Sequence, residues 1–206
     1  MDELDALLHR VEELSRTYRE GGQEAARAFV RLQRLLLEAT VCPDASMLAA
    51  VPFKDKIAIR TRDNHPLRLT NENFLRLNLS LEQHRDRHPA VLTSSYQYQT
   101  DGSDDPQHND WVFRYDFIRF PEDHHPPAHL HVNGNLNVGG VLDVKQPLER
   151  VHFATGRVSL EAVLRVLTEQ FHVQSVQPAP VWRAVLDLSE RGFQEIMHSP
   201  PSGPPR

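Results

Sequence analysis

"FLRLNLSL", residues 74–81, sets Leu75, Leu77, Leu79 and Leu81 against Arg76, Asn78 and Ser80. A strict period of two puts successive side chains on opposite faces of a strand, and here one face is apolar and the other polar. That pattern belongs to an antiparallel sheet with one dry face and one wet face. Upstream, "KIAIRTRDNHPLRL" (56–69) predicts a strand, a turn at Asp63-Asn64-His65-Pro66 and the start of another strand. Downstream of a polar segment at 82–89, "AVLTSSYQYQT" and "DWVFRYDFIRF" flank the loop "DGSDDPQHN" and predict a long antiparallel pair. "HHPPAHLHVNG" (124–134) then predicts another edge of the same sheet. "NGNLNVGG" supplies turns, and "LERVHF" (148–153) predicts a further strand.

Helical periodicity bounds this region on both sides. Leu4, Leu7, Val11, Leu14 and Tyr18 are spaced 3, 4, 3, 4. After Gly21-Gly22, Ala25, Phe29, Leu32, Leu36 and Ala39 resume at 4, 3, 4, 3. These are seam spacings of a coiled coil, and a short glycine turn lets two such helices pair antiparallel. The hairpin, residues 1–42, either lies on the chain's own core or serves as an arm for self-association or a protein partner through residues 2–40. Towards the C-terminus, Ser159 is the expected N-cap of a helix with Glu161 in its first turn, favourable for the dipole. Its buried stripe is Leu160, Val163, Leu164, Leu167 and Phe171. Trp182, Val185, Leu186, Phe193 and Ile196 mark one more helix within 176–198, and the proline-rich tail 199–206 is expected to be disordered. The fold expected is α+β: an N-terminal helical hairpin, then a mainly antiparallel sheet over 50–175, covered on one face by one or two C-terminal helices.

Composition narrows the function classes. The 206 residues carry a net charge of −5 and 39% hydrophobic residues, and the mean hydropathy is −0.51. No apolar run approaches the roughly 18 residues of a membrane helix. The start, MDELDALLHR, lacks the basic and apolar regions of a secretory signal, so a cytoplasmic protein without membrane contact is expected. A single cysteine, Cys42, excludes an internal disulfide framework and a multi-thiolate zinc site. With no basic partner near it in sequence, Cys42 is not a candidate nucleophile. Only Lys54, Lys56 and Lys145 are lysines among 23 basic residues. Arginine dominates, and it favours forked contacts with phosphate or carboxylate.

The candidate chemistry lies on the predicted wet face. His129 and His131 stand at i and i+2 in "AHLHV" and share a face, with Leu130 and Val132 on the other. By the same alternation Arg114 and Asp116 pair in "FRYDF", and Arg150 and His152 in "RVHF". Should those faces coincide, three strands present one cluster. Two chemistries suit it. Imidazoles near neutral pKa, with an arginine in reach, serve as general acid and base for cleaving RNA through its 2′-hydroxyl, with no cofactor required. The catalytic candidates are then His129, His131, Arg114, Asp116 and His152. Alternatively, His129 and His131 chelate zinc or another divalent metal, completed by Asp116 or His152. A solvated sheet face with neither role is the third possibility. Arg150, and Arg157 in "FATGRVS" at a helix start, are candidates for holding a substrate phosphate. His124 and His125, ahead of Pro126-Pro127, read as an exposed lead-in to the strand.

With "FRYDF", "HHPPAHLHV", "LERVHF" and "VSLEAVLRVLTEQF" in this order, residues 111–173 resemble the TumE-like toxins of bacterial toxin–antitoxin modules. The matching positions are Tyr115, Asp116, His125, His129 and His131. What the resemblance implies is a toxin or antiviral-defence component. It would be an endoribonuclease, encoded beside a DNA-binding antitoxin or working as a subunit of a larger assembly. The rival expectation is a non-catalytic interaction protein that docks a partner through its heptad helices.

Overall fold

The computed structural model describes residues 3–22, 24–53, 56–82, 88–103, 110–122, 125–133 and 151–197. The two N-terminal helices are α1 (Glu3–Glu20) and α2 (Ala25–Thr40). They turn at Gly21 and Gly22, whose φ angles of 81° and 79° suit glycine and few other residues. The strands are β1 (Leu48–Phe53), β2 (Lys56–Thr61), β3 (Leu67–Arg68), β4 (Phe74–Glu82), β5 (Ala90–Gln99), β6 (Trp111–Ile118), β7 (Ala128–Val132) and β8 (Phe153–Ala154). Two helices close the chain. α3 (Leu160–Arg165) widens into a π-type turn over Val166–Gln170, and α4 covers Ala179–Met197. This is the expected α+β architecture.

The strands form one antiparallel sheet in the order β1-β2-β4-β5-β6-β7-β8, with β3 also paired to β4. Leu75, Leu77, Leu79 and Leu81 of β4 are all buried, as their period demanded. Ladder partners extend that dry face: Tyr96 and Tyr98 of β5, Phe113, Tyr115 and Phe117 of β6. Among the described residues, all four helices supply side chains to the same continuous core on one side of the sheet. α2 lies deepest, with Leu36 and Leu37 fully enclosed. The Arg34 guanidinium ties it to β1, where Nε donates to the Leu48 carbonyl at 2.7 Å.

The N-terminal hairpin spends most of its heptad stripe on this core. Val11, Leu14, Tyr18, Ala25, Phe29, Leu32, Leu36 and Ala39 are buried in it, whereas Leu4, Leu7 and Leu8 stay half-exposed. Ser159 caps α3 as expected, its Oγ accepting from the Ala162 N–H at 3.2 Å. Glu161 departs from expectation: it is buried, and its carboxylate accepts from Ser189 Oγ at 2.5 Å. The strand expected over 148–153 is found as the two-residue β8, so Val151 and His152 precede the ladder instead of forming it. Residues 148–150 and the tail 199–206 lie outside the described residues.

Candidate metal centre

Register brings the candidate residues together. In the β6–β7 ladder Asp116 faces His129 and Arg114 faces His131. The β7–β8 ladder pairs His129 with Ala154 and Leu130 with Phe153. Continued by one step, it sets His152 beside His131. Alternation does the rest, since all five side chains point to the face without helices.

His131 meets the His129 and His152 rings edge to face, and those two rings are tilted against each other. Ring centroids are 4.8 Å apart for His129 and His131, 4.6 Å for His129 and His152, and 4.5 Å for His131 and His152. One ligand atom from each lies within 4.8 Å of the other two. Nitrogen ligands with bonds of about 2.0–2.1 Å to one tetrahedral ion stand roughly 3.4 Å apart, so small side-chain rotations close the set. Asp116 already has the right spacing, with Oδ2 3.4 Å from His131 Nε2 and 3.9 Å from His129 Nε2. The same oxygen accepts from Arg114 Nε at 2.7 Å, which fixes the carboxylate's orientation.

Two details fit these residues to a metal. His129 Nδ1 lies 2.9 Å from the Pro126 carbonyl. A carbonyl only accepts, so Nδ1 carries the proton and Nε2 presents its lone pair to the cluster. A backbone carbonyl on the distal nitrogen is the usual outer support of a ligating histidine. Secondly, His152 Nδ1 is buried and has no hydrogen-bond partner among the described residues. A buried polar atom without a partner costs free energy unless something outside the protein satisfies it. Desolvation, and then the neighbouring His129 and His125 rings, hold the His152 pKa below its ordinary value, favouring the neutral, ligating imidazole.

The wet-face expectation needs one correction. His129 and His131 are only 4% and 5% exposed, so they are not solvated sheet residues. His125 stays exposed, as a lead-in residue should, but its ring also stacks on His152 at 4.3 Å between centroids. Sequence periodicity missed that contact, because Pro126 and Pro127 break the alternation that would have placed His125.

Other candidates fall elsewhere. The Arg157 guanidinium lies over the rings of Phe117 and Phe193, at 4.7 Å and 5.1 Å from their centroids. Phe117 belongs to the dry face, so Arg157 is not brought to the cluster. Tyr115 likewise packs edge-on against Phe113 at 5.5 Å within the core. Arg150 and His124 lie outside the described residues. Cys42 is buried and burial pushes its thiol up to about 11, which suits an inert thiol. No family model, no curated protein and no solved structure matches the chain, so the cluster has to be interpreted from its own chemistry.

Proposed function

We propose that this chain is a divalent-metal-dependent hydrolase whose ion is held by His129, His131 and His152. The observation that carries the reading is the convergence of their three ligand atoms within 4.8 Å. An imidazole-rich set with no thiolate suits zinc and its neighbours in the first transition row. Such an ion, when bound, polarises a scissile ester and lowers the pKa of water towards neutrality. Asp116 adds an anionic donor to the set. Arg114, whose side chain is 35% exposed, orients Asp116 and faces any anionic group that approaches.

The test uses full-length protein purified without a histidine tag. About one zinc, cobalt or manganese ion per chain is expected by elemental analysis. His129→Ala or His131→Ala should weaken metal affinity by at least about tenfold, with circular dichroism unchanged. A chain that takes up none of the three ions stoichiometrically overturns the reading.

A second reading, metal-free acid–base cleavage of RNA, is favoured by the exposed His125 stacked on His152, which offers a proton path to solvent. Full activity in the presence of EDTA would select it. The toxin–antitoxin or defence setting is a further proposal, supported by the TumE-like resemblance. A helix-turn-helix regulator encoded beside the gene would favour it. A protein partner held through residues 2–40 would use Leu4 and Leu7, the part of the stripe that the core leaves half-exposed, with Leu8 beside them.

A further inference from the structure

The four histidines of this region form a graded series from solvent to interior. His129 and His131 are buried, His152 is half-buried and His125 is exposed. His152 touches every other ring: its centroid is 4.5 Å from that of His131, 4.6 Å from His129 and 4.3 Å from His125. His125 stands 6.5 Å from His129 and is not one of the three residues whose ligand atoms converge. The order from solvent inwards is therefore His125, His152, then the pair on β7.

A buried set of imidazoles has to be reached by an ion that arrives hydrated, and a metal site needs an entry path as well as ligands. Electrostatics separates the two sides from which the centre can be approached. On the β6 side an ion passes Arg114, whose side chain is 35% exposed and whose guanidinium repels a cation. That charge acts on His152 as well. On the His125 side the ion meets another imidazole, a ligand for the same metals. The backbone holds this imidazole in reach. The carbonyl of the next residue, Pro126, is the partner of His129 Nδ1 at 2.9 Å, and Pro126 and Pro127 restrict their own φ. Only the His125 side chain has to rotate.

Resting on the metal-centre reading above, we infer that His125 is the entry ligand of the centre, a group that captures a divalent ion from solvent and hands it through His152 to the pair on β7. One water leaves the ion as a His125 nitrogen binds it. The bond to His125 then breaks as His152, His129 and His131 complete the set. His125 belongs to the route and not to the final coordination. It therefore sets how fast the ion enters and leaves, and not how tightly it is held.

Full-length, metal-free protein is mixed with cobalt(II) by stopped flow, and uptake is followed by the visible absorption of the imidazole-bound ion. Release is followed into excess EDTA. His125 is exposed, so His125→Ala leaves the core untouched. This variant should load and release the ion at least about tenfold more slowly, equivalent to about 1.4 kcal/mol on the barrier, with its dissociation constant within about twofold of the unaltered protein's. His9→Ala on α1, which removes another exposed imidazole, should leave both rates and the affinity unchanged. A His125→Ala chain that loads at the unaltered rate overturns the inference and leaves the metal centre standing. A loss of affinity that matches the slower loading also overturns it, because His125 would then be a permanent ligand. If the unaltered chain takes up no cobalt, zinc or manganese, the metal reading itself fails and this inference falls with it.

Discussion

In the first turn of α3 the Glu161 carboxyl is out of water, accepting from Ser189 Oγ on α4. Burial raises its pKa above the ordinary carboxylate value. A carboxyl whose folded pKa is raised binds its proton more tightly in the native state. Its contribution to stability is therefore fully present below the unfolded value of about 4.3 and is lost as pH rises through the folded value. Glu161→Gln keeps an acceptor for Ser189 and removes the buried charge. It should raise the urea midpoint at pH 7–8 and flatten the fall in stability between acid and neutral pH. An unchanged pH dependence would show that the carboxyl is not the source. The sequence named Glu161 for its place in a helix's first turn, and that place is correct. Its burial was not legible, because it depends on α4 packing across it. The same limit applies to His129 and His131: alternation assigned their common face, and their burial beside His152 is visible only in the structure.

At the scale of elements, most boundaries were legible because local signals agreed. The leucine alternation in β4, the glycine pair between α1 and α2, and the Ser159 cap each reflect a local constraint on the backbone. The cap gives a clean prediction. Ser159→Ala removes the acceptor of the Ala162 N–H and should cost about 1 kcal/mol, measured by urea unfolding. Ser159→Asp should not recover that loss, since the position is buried and its side chain also meets the buried Glu161 carboxyl, which a second carboxylate would oppose. β8 is shorter than its composition led one to expect at its described end. "LERVHF" has good strand composition, and among its described residues, 151–153, pairing begins at Phe153. Strand propensity is a statement about fitting a neighbour's surface, and β7, five residues long, limits what can pair with it.

At the scale of the whole molecule, one core joins the helical hairpin to the sheet. Val11 is fully enclosed and Leu14 is 9% exposed, so the seam that resembles a coiled coil is largely consumed within the chain. Replacing Leu7, Val11 and Leu14 together with serine should therefore abolish the cooperative unfolding transition instead of merely dissociating a complex. Each buried leucine-sized truncation costs about 2–5 kcal/mol, and folded domains have only about 5–15 kcal/mol in reserve. A variant that stays folded with an unchanged transition would mean that the hairpin is a detachable arm. Heptad spacing alone could not separate these cases, because an apolar stripe records that something covers it and not what. The fold class, the faces of Leu75 to Leu81 and of Arg114 and Asp116, the helix cap and the pairing of His129 with His131 were all legible in the chain, because backbone periodicity and near-neighbour chemistry set them. Only the packing of distant segments brings His152 to that pair, sets Arg157 on the other face and buries Glu161. Those facts depend on register and layer packing between segments far apart in the chain, which no local pattern encodes.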